Sequence, residues 1–188
     1  MDDIITILAI IGAIAFVIWL FSEKTKEGKI KDESLNPENF IDELKKFEMK
    51  EIPERKQGFT ENDVQIQLDK FFKKHFETVH REYALEGVNT KKIDFDLGKG
   101  KLGIEVKLAR EIIKEGSWDR ALGQISKYAK KKYTENNLIV LIAGTEEEKD
   151  SQKIKEFGKD IKALEAIYTY VTIQKVEAEK QHELNSVT

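Results

Sequence analysis

Residues 4–21 read IITILAIIGAIAFVIWLF, and only Thr6 and Gly12 in this run fall outside the apolar set. As a helix the run covers about 27 Å at 1.5 Å per residue, close to the hydrocarbon thickness of a bilayer, and no charge interrupts it. It therefore reads as a transmembrane anchor over residues 1–21. Asp2 and Asp3 stand where a cleaved signal peptide would carry basic residues, and no small-x-small cleavage site follows Phe21. Lys24, Lys26, Lys29 and Lys31 crowd the C-terminal flank while no Lys or Arg precedes the run, so the positive-inside rule leaves the C-terminal domain cytoplasmic. The other reading of such a run, a buried core helix, suits a domain of this size poorly.

The anchor also distorts the composition. The 188 residues are 40% hydrophobic and 36% charged. Without the run the hydrophobic share falls to about 35%, ordinary for a small soluble domain. About 165 residues remain, enough for one domain with its own core. The chain has no cysteine, which excludes thiol catalysis, Cys-ligated zinc, iron–sulfur clusters and a disulfide-stapled fold.

Residues 22–57 read as a charged linker carrying one short amphipathic helix, with Asn36 as N-cap, Pro37 at the first helical position and Phe40, Ile41, Leu44 and Phe47 on its apolar side. The main domain is expected over 58–177. It opens at Thr60, with Asp63 three residues on and Val64, Leu68, Phe71, Phe72 and Phe76 forming a helical stripe. The period then changes to two. Residues 79–85, 92–97 and 101–108 are expected as strands, Gly98, Lys99 and Gly100 making a hairpin turn between the second and third. A helix capped by Ser117 and running to about Tyr133, a strand covered on both faces at 138–143, a helix near 149–165 and a strand near 166–173 follow. The order implies an α/β domain with a mixed sheet between helices. The tail, 178–188, is expected to be flexible.

The hairpin carries the chemistry. Ile93, Phe95 and Leu97 occupy odd positions, whereas Leu102, Ile104, Val106 and Leu108 occupy even ones, so apolar faces apolar only if paired residue numbers add to an odd sum. A two-residue turn at Lys99 and Gly100 makes that sum 199, which sets Asp94 opposite Glu105 and Asp96 opposite Gly103. Two carboxylates about 5 Å apart across a sheet repel, and a bound cation offsets the cost. Oxygen ligands without His or Cys suit Mg²⁺ or Mn²⁺. Lys107 lies one side-chain step along the same face, roughly 6.6 Å away, within reach of a phosphate or an attacking water. Such a set suits phosphodiester hydrolysis. The same four polar residues also fit the solvated face of an ordinary amphipathic hairpin.

The IDFD segment, the eleven-residue step from Asp94 to Glu105, and Glu105-Val106-Lys107 within GIEVKL resemble the PD-(D/E)xK nuclease superfamily. The expected element order over residues 58–145 is similar to that superfamily's restriction-endonuclease-like αβββαβ core. The resemblance implies Asp94 and Glu105 as metal ligands and Lys107 as the catalytic lysine. It also implies a glutamate near the start of the first helix, a position that Glu61 matches, with Asp63 as a substitute. QISKY, from Gln124 to Tyr128, is similar to the QxxxY signature of the RecB-like branch; residues four apart share a helix face and can reach the site together. Ile93 stands where the superfamily's name has proline. Asp96 is a second acidic residue on the same face, so Asp94, the preferred candidate, and Asp96 both stand as the metal-binding aspartate.

The net charge of −3 does not advertise nucleic-acid binding. Yet Lys91, Lys92, Lys99, Lys101, Lys107, Arg110 and Lys114 lie on or beside the hairpin, and Lys127, Lys130, Lys131 and Lys132 on the following helix. Basic residues around an acidic pocket suit an approaching phosphate backbone. The expectation is a membrane-anchored, Mg²⁺- or Mn²⁺-dependent nuclease acting on DNA in preference to RNA. The alternative is a non-catalytic membrane-tethered nucleic-acid-binding or assembly module with a nuclease-like fold.

Overall fold

A computed structural model of the chain describes residues 28–50, 59–84, 92–114 and 116–174. The anchor at 4–21 and the tail at 178–188 lie outside them, and among the described residues no helix is long and apolar enough to cross a membrane.

Local signals set most of the elements. Asn36 caps α1 (Pro37–Leu44), its side chain accepting from the Asn39 N–H at 2.8 Å. A two-residue strand, β1 (Met49–Lys50), follows. Thr60 opens α2 (Glu61–His75) with a reciprocal capping box: the Thr60 hydroxyl oxygen accepts from the Asp63 N–H, and the Asp63 carboxylate accepts from the Thr60 N–H at 2.9 Å. Next come β2 (Val79–Ala84), β3 (Lys92–Leu97), β4 (Leu102–Leu108) and the short α3 (Ala109–Ile113). The chain continues through α4 (Ser117–Lys131), β5 (Leu138–Gly144), α5 (Glu146–Lys149), α6 (Gln152–Ala163) and β6 (Ile167–Gln174).

The strands form one mixed sheet in the order β1-β6-β5-β4-β3-β2. β2, β3 and β4 run antiparallel in sequence, while β4, β5, β6 and β1 are parallel. The β3–β4 register keeps the sum 199, with Phe95 opposite Ile104, Asp96 opposite Gly103 and Leu97 opposite Leu102. The turn is wider than the two residues expected, since the strands stop at Leu97 and Leu102. Gly98 and Lys99 both have positive φ, +64° and +56°, so the glycine supplies the first left-handed step at no steric cost.

Helices cover both faces. On one, Val64, Leu68 and Phe72 of α2 pack on Phe95, Leu97, Ile104 and Val106. On the other, Ile125 and Tyr128 of α4 and Phe157 and Ile161 of α6 pack on Leu138, Val140 and Ile142. β5 is buried throughout, as its unbroken apolar run requires.

Two expectations need correction, and some short elements were not foreseen. Residues 28–50 are not a linker. Phe40, Leu44 and Met49 belong to the same core as Phe72 and Phe95, and the Ile30 N–H donates to the His75 carbonyl at 2.8 Å. The high charge of this stretch masks how completely its few apolar side chains are used. β1 was not anticipated, because two residues are too short to display a period. Ser117 begins α4 instead of capping it; Gly116, at φ +78°, takes the capping position. The helix expected near 149–165 is α6, capped by Ser151, and the short α5 before it, capped by Thr145, was not anticipated.

Candidate active site

The site is built where regular pairing fails. β2 and β3 pair on both sides of Glu82 and Asp94, through Arg81 with Phe95 and Tyr83 with Ile93, but these two residues form no pair. Glu82 sits at φ +52°, a left-handed conformation costly for a residue with a side chain. Side-chain alternation breaks there. Ile93 packs with the α4 core, whereas Phe95 and Leu97 pack with the α2 core, so the single apolar face expected for β3 is interrupted. Pairing of β3 with β4 also ends at Phe95 and Ile104. Asp94 enters the gap. Its Oδ2 accepts from the Val106 N–H at 2.7 Å, and its Oδ1 accepts from Gln65 Nε2 at 2.8 Å.

Glu105 and Lys107 project from β4 beside it. Glu105 Oε1 accepts from Gln124 Nε2 at 2.7 Å and lies 2.7 Å from Lys107 Nζ, while Oε2 is buried with no hydrogen-bond partner. Lys107 Nζ also donates to the Val106 carbonyl at 2.9 Å and lies 3.5 Å from Glu61 Oε2. On α4, Gln124 Nε2 donates to the Tyr128 hydroxyl oxygen at 3.0 Å, and that hydroxyl donates to the Lys92 carbonyl at 2.9 Å. Tyr128 is thus at once core packing and part of the network. The fold joins Glu61, Asp94, Glu105, Lys107, Gln124 and Tyr128 through side-chain contacts and the Val106 peptide.

The two alternative carboxylates are engaged elsewhere. Asp96 faces away from this network, accepting from the Tyr133 hydroxyl at 2.5 Å and the Gly100 N–H at 2.9 Å, with Lys132 Nζ at 3.4 Å. Asp63 is held in the α2 capping box. Two participants were missed. Gln65 lies one helical turn after Glu61, a spacing that signals a shared face. Arg81, whose Nη2 donates to Gln65 Oε1 at 3.2 Å, gave no signal, because its direction depends on the distortion at Glu82.

Burial governs the electrostatics. It pushes the Glu105 carboxyl up to about 8 and Asp94 up to about 6, although Lys107 pulls both back. Burial alone would lower Lys107, but Glu105, Asp94 and Glu61 together raise it above the ordinary lysine range. Between pH 4 and about 6 the folded state therefore holds protons on both Asp94 and Glu105 that the unfolded chain has already released, and from about 6 to 8 on Glu105 alone. Stability conferred by a raised carboxyl pKa is present at low pH and lost as pH rises, whereas Lys107 stays charged in both states across this window. Urea denaturation in EDTA is expected to show the domain less stable at pH 8 than at pH 5, by on the order of a few kcal/mol. A Glu105→Gln variant should flatten that slope; a wild-type slope of opposite sign would contradict the assignment.

Carboxylate oxygens are the donor type that suits a hard divalent cation, and the orphaned Glu105 Oε2 is a buried acceptor without a donor. Among the described residues no three His, Cys, Asp or Glu side chains are grouped so as to hold a metal, and Glu61 Oε2 lies 3.5 Å from Lys107 Nζ. The surrounding basic residues are also less free than their number suggests. Lys92 pairs with Glu82, Lys99 with Asp32, Lys114 with Glu111 and Lys132 with Asp96, and Lys101 donates to the Glu33 carbonyl. Lys91 lies outside the described residues. Comparison with protein-family models, with curated proteins and with solved structures finds no match to the chain.

Proposed function

We propose that this chain is a membrane-anchored, metal-dependent nuclease of the PD-(D/E)xK type that hydrolyses phosphodiester bonds in DNA. The observation that carries the reading is the convergence of Asp94, Glu105 and Lys107, which the sequence resemblance assigns to chemistry, with Glu61, Gln124 and Tyr128 from two separate helices. The order α2, β2, β3, β4, α4, β5, interrupted only by the short α3 between β4 and α4, supports it, since the resemblance implies an αβββαβ core.

Asp94 and Glu105 would hold Mg²⁺ or Mn²⁺, with Glu61 as a third carboxylate at the mouth of the gap. When bound, the ion would polarise the phosphoryl oxygen and lower the pKa of its water. The chain's own residues divide the remaining tasks. Lys107, released from Glu105, places its ammonium where the attacking water and the growing negative charge need it. Gln124 fixes Glu105 through Oε1, which leaves Oε2 for the cation, and Tyr128 pins Gln124 to the Lys92 carbonyl. Residues 4–21 would hold the domain on the cytoplasmic side of a membrane.

Two observations favour the non-catalytic alternative: the Lys107 ammonium already satisfies Glu105 Oε1, and among the described residues no three carboxylates are grouped so as to hold a metal. Incubation with labelled single-stranded, duplex and branched DNA separates the two. Mg²⁺-dependent cleavage that EDTA abolishes is expected, with Glu105→Ala at least about a hundredfold slower and unchanged in its circular dichroism. Inactivity of the wild type on all three substrates with Mg²⁺ and Mn²⁺ would refute the enzyme.

A further inference from the structure

Asp94 is held from a direction that neither the hairpin nor α4 supplies. Gln65 is buried at 7% exposure, with its Nε2 on Asp94 Oδ1 at 2.8 Å and its Oε1 taken by Arg81 Nη2 at 3.2 Å. The same Nη2 donates to Asn62 Oδ1 at 2.5 Å. A guanidinium only donates and an ionised carboxylate only accepts, so just one of the two flip states of the Gln65 amide satisfies both neighbours. Arg81 Nε is buried without a partner, a cost that the folded state bears to keep the guanidinium here.

We propose that Gln65 is the positioning residue for Asp94, and that Arg81 acts through it by locking the amide with its donor toward the carboxylate. This rests on the reading of Asp94 as a metal ligand. With Oδ1 held by Gln65 and Oδ2 by the Val106 N–H, the carboxylate cannot turn, yet each oxygen keeps a lone pair for a cation. The left-handed Glu82 serves both halves of the device. It comes directly after Arg81 and opposite Asp94, so one distortion lets Arg81 face α2 and frees Asp94 from the ladder. Through Glu61 and Gln65, one turn apart, α2 then touches both Lys107 and Asp94.

The test is Mn²⁺ affinity by calorimetry on the full chain in detergent. Gln65→Met keeps the volume of the side chain and removes its donor, and Arg81→Met releases the amide. Each is expected to weaken Mn²⁺ about tenfold, the loss usual for removing an outer-shell partner, with Gln65→Met still folded and melting only modestly lower without metal, since Arg81 Nη2 keeps Asn62 Oδ1. The double variant should bind no more weakly than Gln65→Met alone, because Arg81 acts through Gln65. Wild-type affinity in Gln65→Met, or fully additive losses, would overturn the relay and leave the nuclease reading standing. A wild-type chain without Mn²⁺ affinity would overturn both. Gln65→Met carries the test by itself if Arg81→Met fails to fold.

Discussion

Lys107→Met is expected to abolish DNA cleavage and, in the same protein, to tighten Mn²⁺ binding. The two effects have opposite signs because the ammonium does two things. It lies 2.7 Å from Glu105 Oε1 and 3.5 Å from Glu61 Oε2, where it serves as a tethered cation for the metal-free site. A divalent ion must displace it and then work against its charge nearby. Removing that charge should raise Mn²⁺ affinity by about tenfold or more at pH 8, since a buried unit charge a few ångströms away is worth several times RT even in a screened interior. Cleavage should fall by about a hundredfold or more, the usual loss when a group stabilising transition-state charge is removed. The metal-free variant should also melt lower, because Glu105 loses its buried partner, and added Mn²⁺ should restore the difference. Calorimetry, a cleavage assay and a thermal melt give the three readings. Weaker Mn²⁺ binding in Lys107→Met would mean that the lysine holds the site together and does not compete for it.

Asp96→Ala and Asp94→Ala are expected to fail in different ways. Asp96 is 1% exposed and holds the Tyr133 hydroxyl, the Gly100 N–H and Lys132. Its loss leaves three donors without their acceptor and opens the hairpin turn, a change that costs about 3–5 kcal/mol when a buried charged partner is removed. The folded fraction should still cleave. Asp94→Ala leaves only Gln65 Nε2 and the Val106 N–H to find other partners, so the domain should keep most of its stability and lose cleavage. Denaturation midpoints measured beside cleavage rates per folded molecule decide the matter, and the reverse pattern would exchange the roles of the two aspartates.

How much of this was legible in the sequence depended on the range of the cause. Caps at Asn36 and Thr60 and the two-face burial of β5 follow from neighbouring residues and were readable. So was the β3–β4 register, because only an odd sum brings apolar residues together. Gln124 and Tyr128 came from the QxxxY resemblance, and their spacing of four added only that they share a helix face. The break at Glu82 and Asp94 was not. A glycine would have announced the positive φ, whereas a glutamate inside an alternating strand reads as ordinary. That break sets the direction of Asp94 and of Arg81, and with it the bond to Gln65 on a distant helix. The place of residues 28–50 in the core was hidden by their charge, although Phe40 packs against Phe72 and stacks on Phe76.

Anomalous diffraction from crystals soaked in Mn²⁺ tests the central claim most directly. The account predicts one peak about 2.0–2.3 Å from carboxylate oxygens of both Asp94 and Glu105, with Lys107 Nζ withdrawn from Glu105 Oε1. No peak between those carboxylates at saturating Mn²⁺, with the Lys107–Glu105 contact intact, would contradict it.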